Sequence, residues 1–341
     1  MKFFVTRKLP DAGLEILKRA GEVKVAVEAE EVAVPRQTLL EEIRQADVLV
    51  SMLTESVDRE LLEAGGRLLG VANYAVGYNN VDVASATALG LPVTNTPGVL
   101  TDTTADLAWA LLMAVARQIV PADRYMRAGR YRLWGPNLFL GADVSRGGTG
   151  ERKVLGIVGF GRVGQAVARR AQGFDMRVLA HDPVLKELIA ETEGVEFAEL
   201  DELLAQSDFV TLHTLLNEST RHLIDGSSLA KMKPTAYLIN TSRGPVVDEK
   251  ALLEALRQKR IAGAALDVFE NEPEVTPGLA ELDNVVVVPH IASASRDTRN
   301  QMATKCAENA VALLRGEKAP NCVNPEVYDT EAYRRRLQQH Q

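Results

Sequence analysis

The stretch "KVLGIVGFGRVGQAVARR", residues 153–170, constrains the fold of this chain more than any other. Gly159, Gly161 and Gly164 follow an apolar run and open an amphipathic one. A second apolar run, "RVLAHD", ends at Asp182, 18 residues after Gly164. A strand that turns through G-x-G-x-x-G into a helix and returns as a second strand is a βαβ unit of a parallel sheet. Each glycine has a steric reason: Gly159 allows a tight turn, Gly161 lets a pyrophosphate approach the backbone, and Gly164 lets helix and strand touch. The unpaired N–H groups at the helix start attract an anion. Asp182 is placed to accept hydrogen bonds from ribose hydroxyls. It favours NAD over NADP, because a carboxylate repels a 2′-phosphate and Pro183 and Val184 bring no cation. The competing reading, a glycine-rich turn without cofactor, is weakened by strand, helix and acid all being in register.

The rest of the chain alternates in the same way. "KFFVT", "VKVAV", "DVLVSM", "LLGVANY" and "PVTNT" read as strands. "DAGLEILKRAG", capped by Asp11 and closed by Gly21, and "LLEEIRQA" read as helices between them. Residues 101–128 read as one long helix capped by Thr101 or Asp102, its middle too apolar to face water. Six further strands follow: "KVLGIVG", "RVLAHD", "SDFVTLHT", "AYLINT", "GAALDVF" and "NVVVVPH". The helices "RVGQAVARRAQGF", "LDELLAQ", "SSLAKM" and "DEKALLEALRQKR" lie between several of them. "SRGGTGERK" is a turn, Asp297 to Arg315 a last long helix, and "YRRRLQQHQ" a polar, frayed tail. Alternation over 341 residues predicts an α/β chain of two doubly wound parallel-sheet domains.

Composition narrows the function. A net charge of −7 argues against a nucleic-acid partner. The longest apolar run, Leu107 to Ala116, falls well short of the ~20 residues of a membrane span, and "MKFFVTRKLPD" is no signal peptide. The two cysteines, Cys306 and Cys322, suggest neither a disulfide framework nor a metal site, and a reducing cytoplasm is expected. The histidines likewise lack ligand spacing, so no metal is predicted.

Three later strands each end in something chemical. "LINTSRGPVVDE" puts Arg243 just past a strand, "LDVFENEPEV" puts Asp267, Glu270 and Glu272 at and beyond the next, and "VVVVPH" puts His290 at the third. Ligands of open α/β sheets bind at the carboxyl ends of strands, so these groups can converge. An arginine grips a carboxylate, a histidine moves a proton near neutral pH, and a glutamate beside it holds the imidazolium. The bland alternative for His290 is a core histidine at the end of a buried strand.

With "NYAVGYNNVDV", "GIVGFGRVGQAVARR", "NTSRGPVVDE", "ALDVFENEP" and "PHIASAS" in this order, the chain resembles the D-2-hydroxyacid dehydrogenase family. Within it, "VTNTPGVLTDTTADLAWALL" and "LWGPNLFLG" are most similar to the glyoxylate/hydroxypyruvate reductases. The resemblance implies a flavodoxin-like substrate domain, residues 1–99 plus 291–325, and a Rossmann NAD-binding domain, residues 100–290, inserted into it, with a polar tail from 326 to 341. It implies reduction of glyoxylate or hydroxypyruvate to glycolate or D-glycerate, with NADH preferred. Arg243 is then the substrate anchor, His290 the acid and Glu272 its partner, matched through the following Pro273. The backbone amides around Ala75, Val76 and Gly77 bind the substrate carboxylate, and Leu53 lines the pocket. Thr104, Phe160, Arg162, Val163, Asp182, Thr241, Ser242 and Asp267, with the three loop glycines, touch the cofactor.

The resemblance also implies a homodimer whose two-fold interface involves the apolar helix "LAWALLMAVA" and its flanking loop. Two readings stay open for Trp134: loop packing, or reaching the neighbouring subunit's substrate pocket. The family usually has Pro at Leu215 and Gly at Ala292. D-3-phosphoglycerate dehydrogenase, a phosphite dehydrogenase (which has Lys at the place of Val76) and a non-catalytic corepressor are the alternatives on the same fold. Of the other titratable groups, His213 is read as flanking the cofactor pocket, His181, His222 and His340 as facing solvent, and Glu270 as a solvated loop charge.

Overall fold

The computed structural model of the chain describes residues 1–29 and 32–340. They form two compact units, Met1–Leu100 with Ala294–Gln341, and Thr101–Ser293. The first unit is built on β1 (Lys2–Arg7), β2 (Glu22–Val27), β3 (Val48–Ser51), β4 (Gly70–Asn73) and β5 (Val93–Thr94). All pairings are parallel, in the order β2-β1-β3-β4-β5, the flavodoxin-like order. Between the strands run α1 (Asp11–Ala20), α2 (Arg36–Glu42), α3 (Arg59–Ala64) and α4 (Val83–Ala88). Phe3 and Val5 pack with Leu14 and Leu17 of α1 on one face of the sheet. Phe4 packs with Leu39 and Leu61 on the other. A strand buried on both faces reads as a continuous apolar run, which is what "KFFV" is.

Two local readings change here. Asp11 does not cap α1 but is its first residue; Pro10 holds the cap position. The six-residue helices α3 and α4, too short for a periodicity to show, are fixed by their caps. Asp58 accepts from Leu61 N and Asp82 from Ser85 N.

The second unit opens with α5 (Thr101–Ala116) and α6 (Ile119–Arg127), predicted as one helix. The chain breaks at Gln118, whose φ is +50°, and the pair is bent by 66°. Pro121 is the cause: in a continuous helix its ring would clash with the carbonyl of Arg117 and it has no N–H to give. The sheet follows: β6 (Val154–Val158), α7 (Arg162–Gly173), β7 (Arg177–His181), α8 (Lys186–Glu191), β8 (Val195–Phe197), α9 (Leu200–Gln206) and β9 (Phe209–Leu212). It continues with α10 (Gly226–Lys231), β10 (Tyr237–Asn240), α11 (Glu249–Arg257), β11 (Gly263–Leu266) and β12 (Val285–Val287).

Seven parallel strands lie in the order β12-β11-β10-β9-β6-β7-β8. The seventh, beyond the six expected, is the three-residue edge strand β8. The order reverses between β6 and β9, which opens a crevice at their carboxyl ends. Helices α5, α7 and α8 cover one face and α9, α10 and α11 the other. The apolar run of α5 is accounted for by this core: Ala108, Trp109, Leu111, Leu112 and Val115 are buried against it. Among the described residues no single helix is long and apolar enough to cross a membrane.

The chain returns to the first unit as α12 (Arg296–Leu314), which lays Met302, Ala303, Cys306 and Ala310 against Phe3, Val48 and Ala72. The expected frayed tail is instead a helix, α13 (Glu331–Gln338), capped by Thr330 and anchored by buried Tyr333. Arg336 reaches from it to the carbonyls of Gly65, Gly66, Leu68 and Leu89, which satisfies the ends of α3 and α4.

Candidate active site

The glycine loop between β6 and α7 is as tight as its sequence requires. Gly159 has φ +91°, and a Cβ there would lie 2.7 Å from the carbonyl of His213. A Cβ on Gly164 would lie 2.2 Å from the Gly159 oxygen. At Gly161 it would meet nothing within 4 Å, so the loop is open on that side. Asp182, just past β7, is engaged within the loop itself. Its Oδ2 accepts the Phe160 N–H at 2.9 Å, and its Oδ1 accepts those of Val184 and Leu185 at 3.1 Å. The acid therefore braces the loop whose ligand it would also touch. Arg162 and Val163 open α7, and Phe160 is buried beneath the turn.

Two buried hydroxyls, Thr214 just past β9 and Thr241 just past β10, have no protein partner among the described residues. Thr104 is buried on α5. His213 does flank the glycine loop, and desolvation pushes its imidazole down to about 3, so it is neutral. An open glycine turn, a helix start, an acid and two unspent hydroxyls fit a dinucleotide.

Three adjacent strand ends carry Arg243, Glu272 and His290. After β10, Asn240 folds the chain over. Its Oδ1 accepts from Ser242 N at 3.0 Å and Ser242 Oγ at 2.8 Å, and its Nδ2 donates to Arg243 O at 3.0 Å. Gly244 is obligatory, since a Cβ there would sit 1.8 Å from Phe269 O. That close approach sets Arg243 beside the loop holding Glu272. Arg243 Nη1 donates to Ser242 O at 2.7 Å. Desolvation lowers its guanidinium from the ordinary value against the opposing charge of Glu272, and it remains a cation at neutral pH.

After β11, Asp267 is fully buried. Its carboxylate accepts Ile291 N at 2.6 Å and Ala292 N at 3.0 Å, and its carbonyl accepts His290 N at 2.8 Å. It thereby shapes the turn in which His290 takes φ +52°, a left-handed conformation costing a non-glycine residue of order 1–3 kcal/mol. Desolvation pushes the Asp267 carboxyl up to about 6 despite those two amides and His290. Glu272 Oε1 accepts Phe269 N at 3.0 Å, while its Oε2 lies 2.9 Å from His290 Nδ1. Desolvation alone would raise Glu272, but the bond to His290 and its charge, the Phe269 amide and Arg243 together hold it below the ordinary carboxylate range.

In the first unit, Asn73 Nδ2 holds Gly77 O at 3.0 Å and Asn95 Nδ2 holds Val76 O at 2.7 Å. Thr96 N donates to Ala75 O at 2.9 Å. Asn80 Nδ2 donates to Met52 O at 2.9 Å and Glu55 O at 3.1 Å, fixing the turn that exposes Leu53. Leu215 and Trp134 are exposed, at 72% and 71%.

Several readings need correction. Glu270 is not a solvated charge: its Oε1 lies 2.7 Å from His222 Nε2. His222 is therefore not simply facing solvent. Nor are His181, whose Nδ1 meets Ala198 O at 3.0 Å, and His340, 3.8 Å from buried Asp47. Asn240, Thr214, Asn80 and Glu249 went unnoticed in the sequence. Asn240 alone had a signal, standing in "INTSRG" three residues before Arg243.

Residues 109–292 match the family described as D-isomer specific 2-hydroxyacid dehydrogenase, NAD binding domain. A glyoxylate reductase of Korarchaeum cryptofilum is 50% identical over 329 residues, 96% of each chain. The TT0316 protein of Thermus thermophilus superposes with a TM-score of 0.85 at 41% identity, over 95% of this chain and 100% of that one. The NADPH-dependent glyoxylate/hydroxypyruvate reductase of Sinorhizobium meliloti, solved with NADP and malonate, gives 0.80 at 32% identity, over 95% and 97%. With the glycine loop, the Arg243–Glu272–His290 cluster and this likeness over nearly its whole length, the chain belongs to the D-isomer specific 2-hydroxyacid dehydrogenase family, nicotinamide-dependent oxidoreductases.

Proposed function

We propose that the protein reduces glyoxylate, and hydroxypyruvate beside it, to the 2-hydroxy acid with NADH. The observation that carries this reading is the His290–Glu272 bond of 2.9 Å, next to the cationic Arg243. The 50% identical glyoxylate reductase supports the choice of substrate. When bound, a dihydronicotinamide supplies the hydride for the keto carbon. Gly161, the start of α7, Asp182, Thr214 and Thr241 would hold the dinucleotide, with Thr104, Ser242 and Asp267 as further contacts or supports.

Arg243 binds the substrate carboxylate and polarises the carbonyl, but a guanidinium keeps its proton at pH 7. His290 gives its Nε2 proton to the carbonyl oxygen as charge develops there, while Nδ1 stays on Glu272. One keto acid, one hydride and one proton give one hydroxy acid. Roles for Leu53, Ala75, Val76 and Gly77 in holding the substrate rest on the family resemblance.

NADH is favoured over NADPH because Asp182 is a carboxylate. Lys186, the next cation along the chain, has its Nζ 4.2 Å from the Phe197 ring and 3.8 Å from Glu199. The Sinorhizobium enzyme, by contrast, is NADPH-dependent. We also propose a homodimer. Its supporting surface is α6 and the loop after it, where Met126, Leu133, Trp134 and Leu140 are exposed. The loop reading of Trp134 as packing within its own subunit loses support from that exposure. Two free thiols, Cys306 and Cys322, suit a reducing cytoplasm.

The deciding assay follows NADH oxidation with glyoxylate, hydroxypyruvate, pyruvate and 3-phosphohydroxypyruvate, and repeats the best with NADPH. Turnover of none of them, or a clear preference for the phosphorylated acid, overturns the proposal. A single 37 kDa species by sedimentation at micromolar concentration removes the dimer.

A further inference from the structure

Glu249, the first residue of α11, is a buried carboxylate that the reaction above does not use. Its Oε1 accepts the N–H of Glu270, and its Oε2 accepts the N–H of Thr276 at 3.2 Å and the Thr276 hydroxyl at 2.7 Å. One side chain thus grips the backbone on both sides of Glu272. Between the grips the chain makes a tight turn, Glu274 N donating to Asn271 O at 2.9 Å, with Glu272 inside it. Glu270 returns the contact, its Oε2 accepting Glu249 N at 3.3 Å while its Oε1 meets His222 Nε2 at 2.7 Å. The segment belongs to no helix or strand, so these side chains, with the Phe269 N–Glu272 Oε1 bond, hold it in place.

A buried carboxylate is costly unless its oxygens are used, and here both are spent on one loop. A shift of that loop of even an ångström would carry Glu272 out of reach of His290, whose other charged neighbour is Asp267, and away from the Arg243 charge that Glu272 also faces. We propose that Glu249 is a positioning residue for catalysis: by clamping the chain at Glu270 and Thr276 it holds the Glu272 carboxylate against His290 Nδ1. The inference rests on the reading of His290 and Glu272 as the proton-donating pair.

The test measures NADH-dependent glyoxylate reduction by the full-length protein from pH 5.5 to 9, with NADH affinity by fluorescence and Tm alongside. The variants are E249Q, T276V, T276S and E272Q. E272Q removes the charge 2.9 Å from His290 Nδ1 and should move the high-pH fall-off of reduction to lower pH. E249Q should move it in the same direction by a smaller amount and lower kcat roughly 10- to 100-fold, the scale of a misplaced catalytic group. T276V should move it least, T276S should restore the parental profile, and NADH affinity should stay within about twofold in all. If E249Q and T276V keep the parental fall-off, whatever their Tm, the positioning role is wrong while the His290–Glu272 reading stands. If E272Q itself leaves the fall-off in place, that underlying reading fails and the inference with it. Should E249Q not fold, the comparison of T276V with T276S decides by the same criterion.

Discussion

His290 Nδ1 lies 2.9 Å from Glu272 Oε2, and the two residues reach each other from different strand ends, one past β12 and one past β11. A histidine placed only to fill a core would need no carboxylate, nor a left-handed backbone at φ +52°. The bond fixes the ring and leaves Nε2 for the proton transfer proposed above.

His290→Ala should therefore lower kcat by roughly 10²–10⁴ with folding and NADH binding intact, as expected for loss of a general acid. Stopped turnover with parental Tm and NADH fluorescence is the expected result. A kcat within a few-fold of the parent would make this histidine a packing residue.

Glu272→Gln keeps the shape and removes the charge. The folded protein holds Glu272 below the ordinary carboxylate range, so the carboxylate is ionised throughout the working range and favours the imidazolium. Without that charge beside Nδ1 the high-pH limb of the reduction profile should move to lower pH. A profile that scales without shifting would contradict this.

Why this pair was legible from the chain, and its supports were not, has a physical basis. Arg243, Glu272 and His290 stand at the ends of strongly apolar runs, and a sheet of parallel strands must bring such ends together. The glycine loop announces itself because only glycine survives where a Cβ would fall 2.2 to 2.7 Å from backbone. Choosing Glu272 over Glu270 needed the family pattern; in space the choice is plain, since Glu270 turns to His222. Asn240 and Glu249 left almost no trace because they satisfy backbone groups, and which backbone lies near is decided by the fold. The kink at Gln118 was foreseeable from Pro121, but the apolar run through α5 outweighed it.

Asp182→Ala should weaken both cofactors, since the carboxylate holds the Phe160, Val184 and Leu185 amides and, in the reading proposed above, would also face a ribose. Losing charge-assisted hydrogen bonds of ~1.5–3 kcal/mol predicts a rise of roughly 10- to 100-fold in KM for NADH. NADPH should lose less, because repulsion disappears too, so the ratio shifts toward NADPH without tight binding. KM for each cofactor in the variant checks it, and an unchanged ratio would remove Asp182 as the selector.

Gly244→Ala would set a Cβ 1.8 Å from Phe269 O, where two backbones must separate. Overpacking of this kind costs ~1–3 kcal/mol or more, and the strand ends carrying Arg243 and Glu272 would part. Tm and kcat should fall together, with thermal unfolding and turnover measured on the same preparation. A variant with parental Tm would show that the two loops can move apart freely.

Asp267 should set an acidic limit on the reaction. Burial pushes its carboxyl up to about 6, above the ordinary value of 3.8. A raised folded value means that its favourable contribution to stability is present below about 3.8 and is lost as pH rises through about 6. At neutral pH the ionised form is kept at some cost in stability, and it is the form that accepts both Ile291 N and Ala292 N. Protonation turns one oxygen into a donor facing an N–H, and the turn that holds His290 at positive φ should loosen. The kcat of reduction should then decline below pH 6. Asp267→Asn has one acceptor oxygen and one NH2 group at every pH, so it should show a lower kcat plateau with that acidic limb gone. Rapid kcat measurements from pH 5 to 8 on both proteins decide it. A parental rate that is flat or rising toward pH 5, or an Asn variant that keeps the limb, would assign the acidic limit to another group.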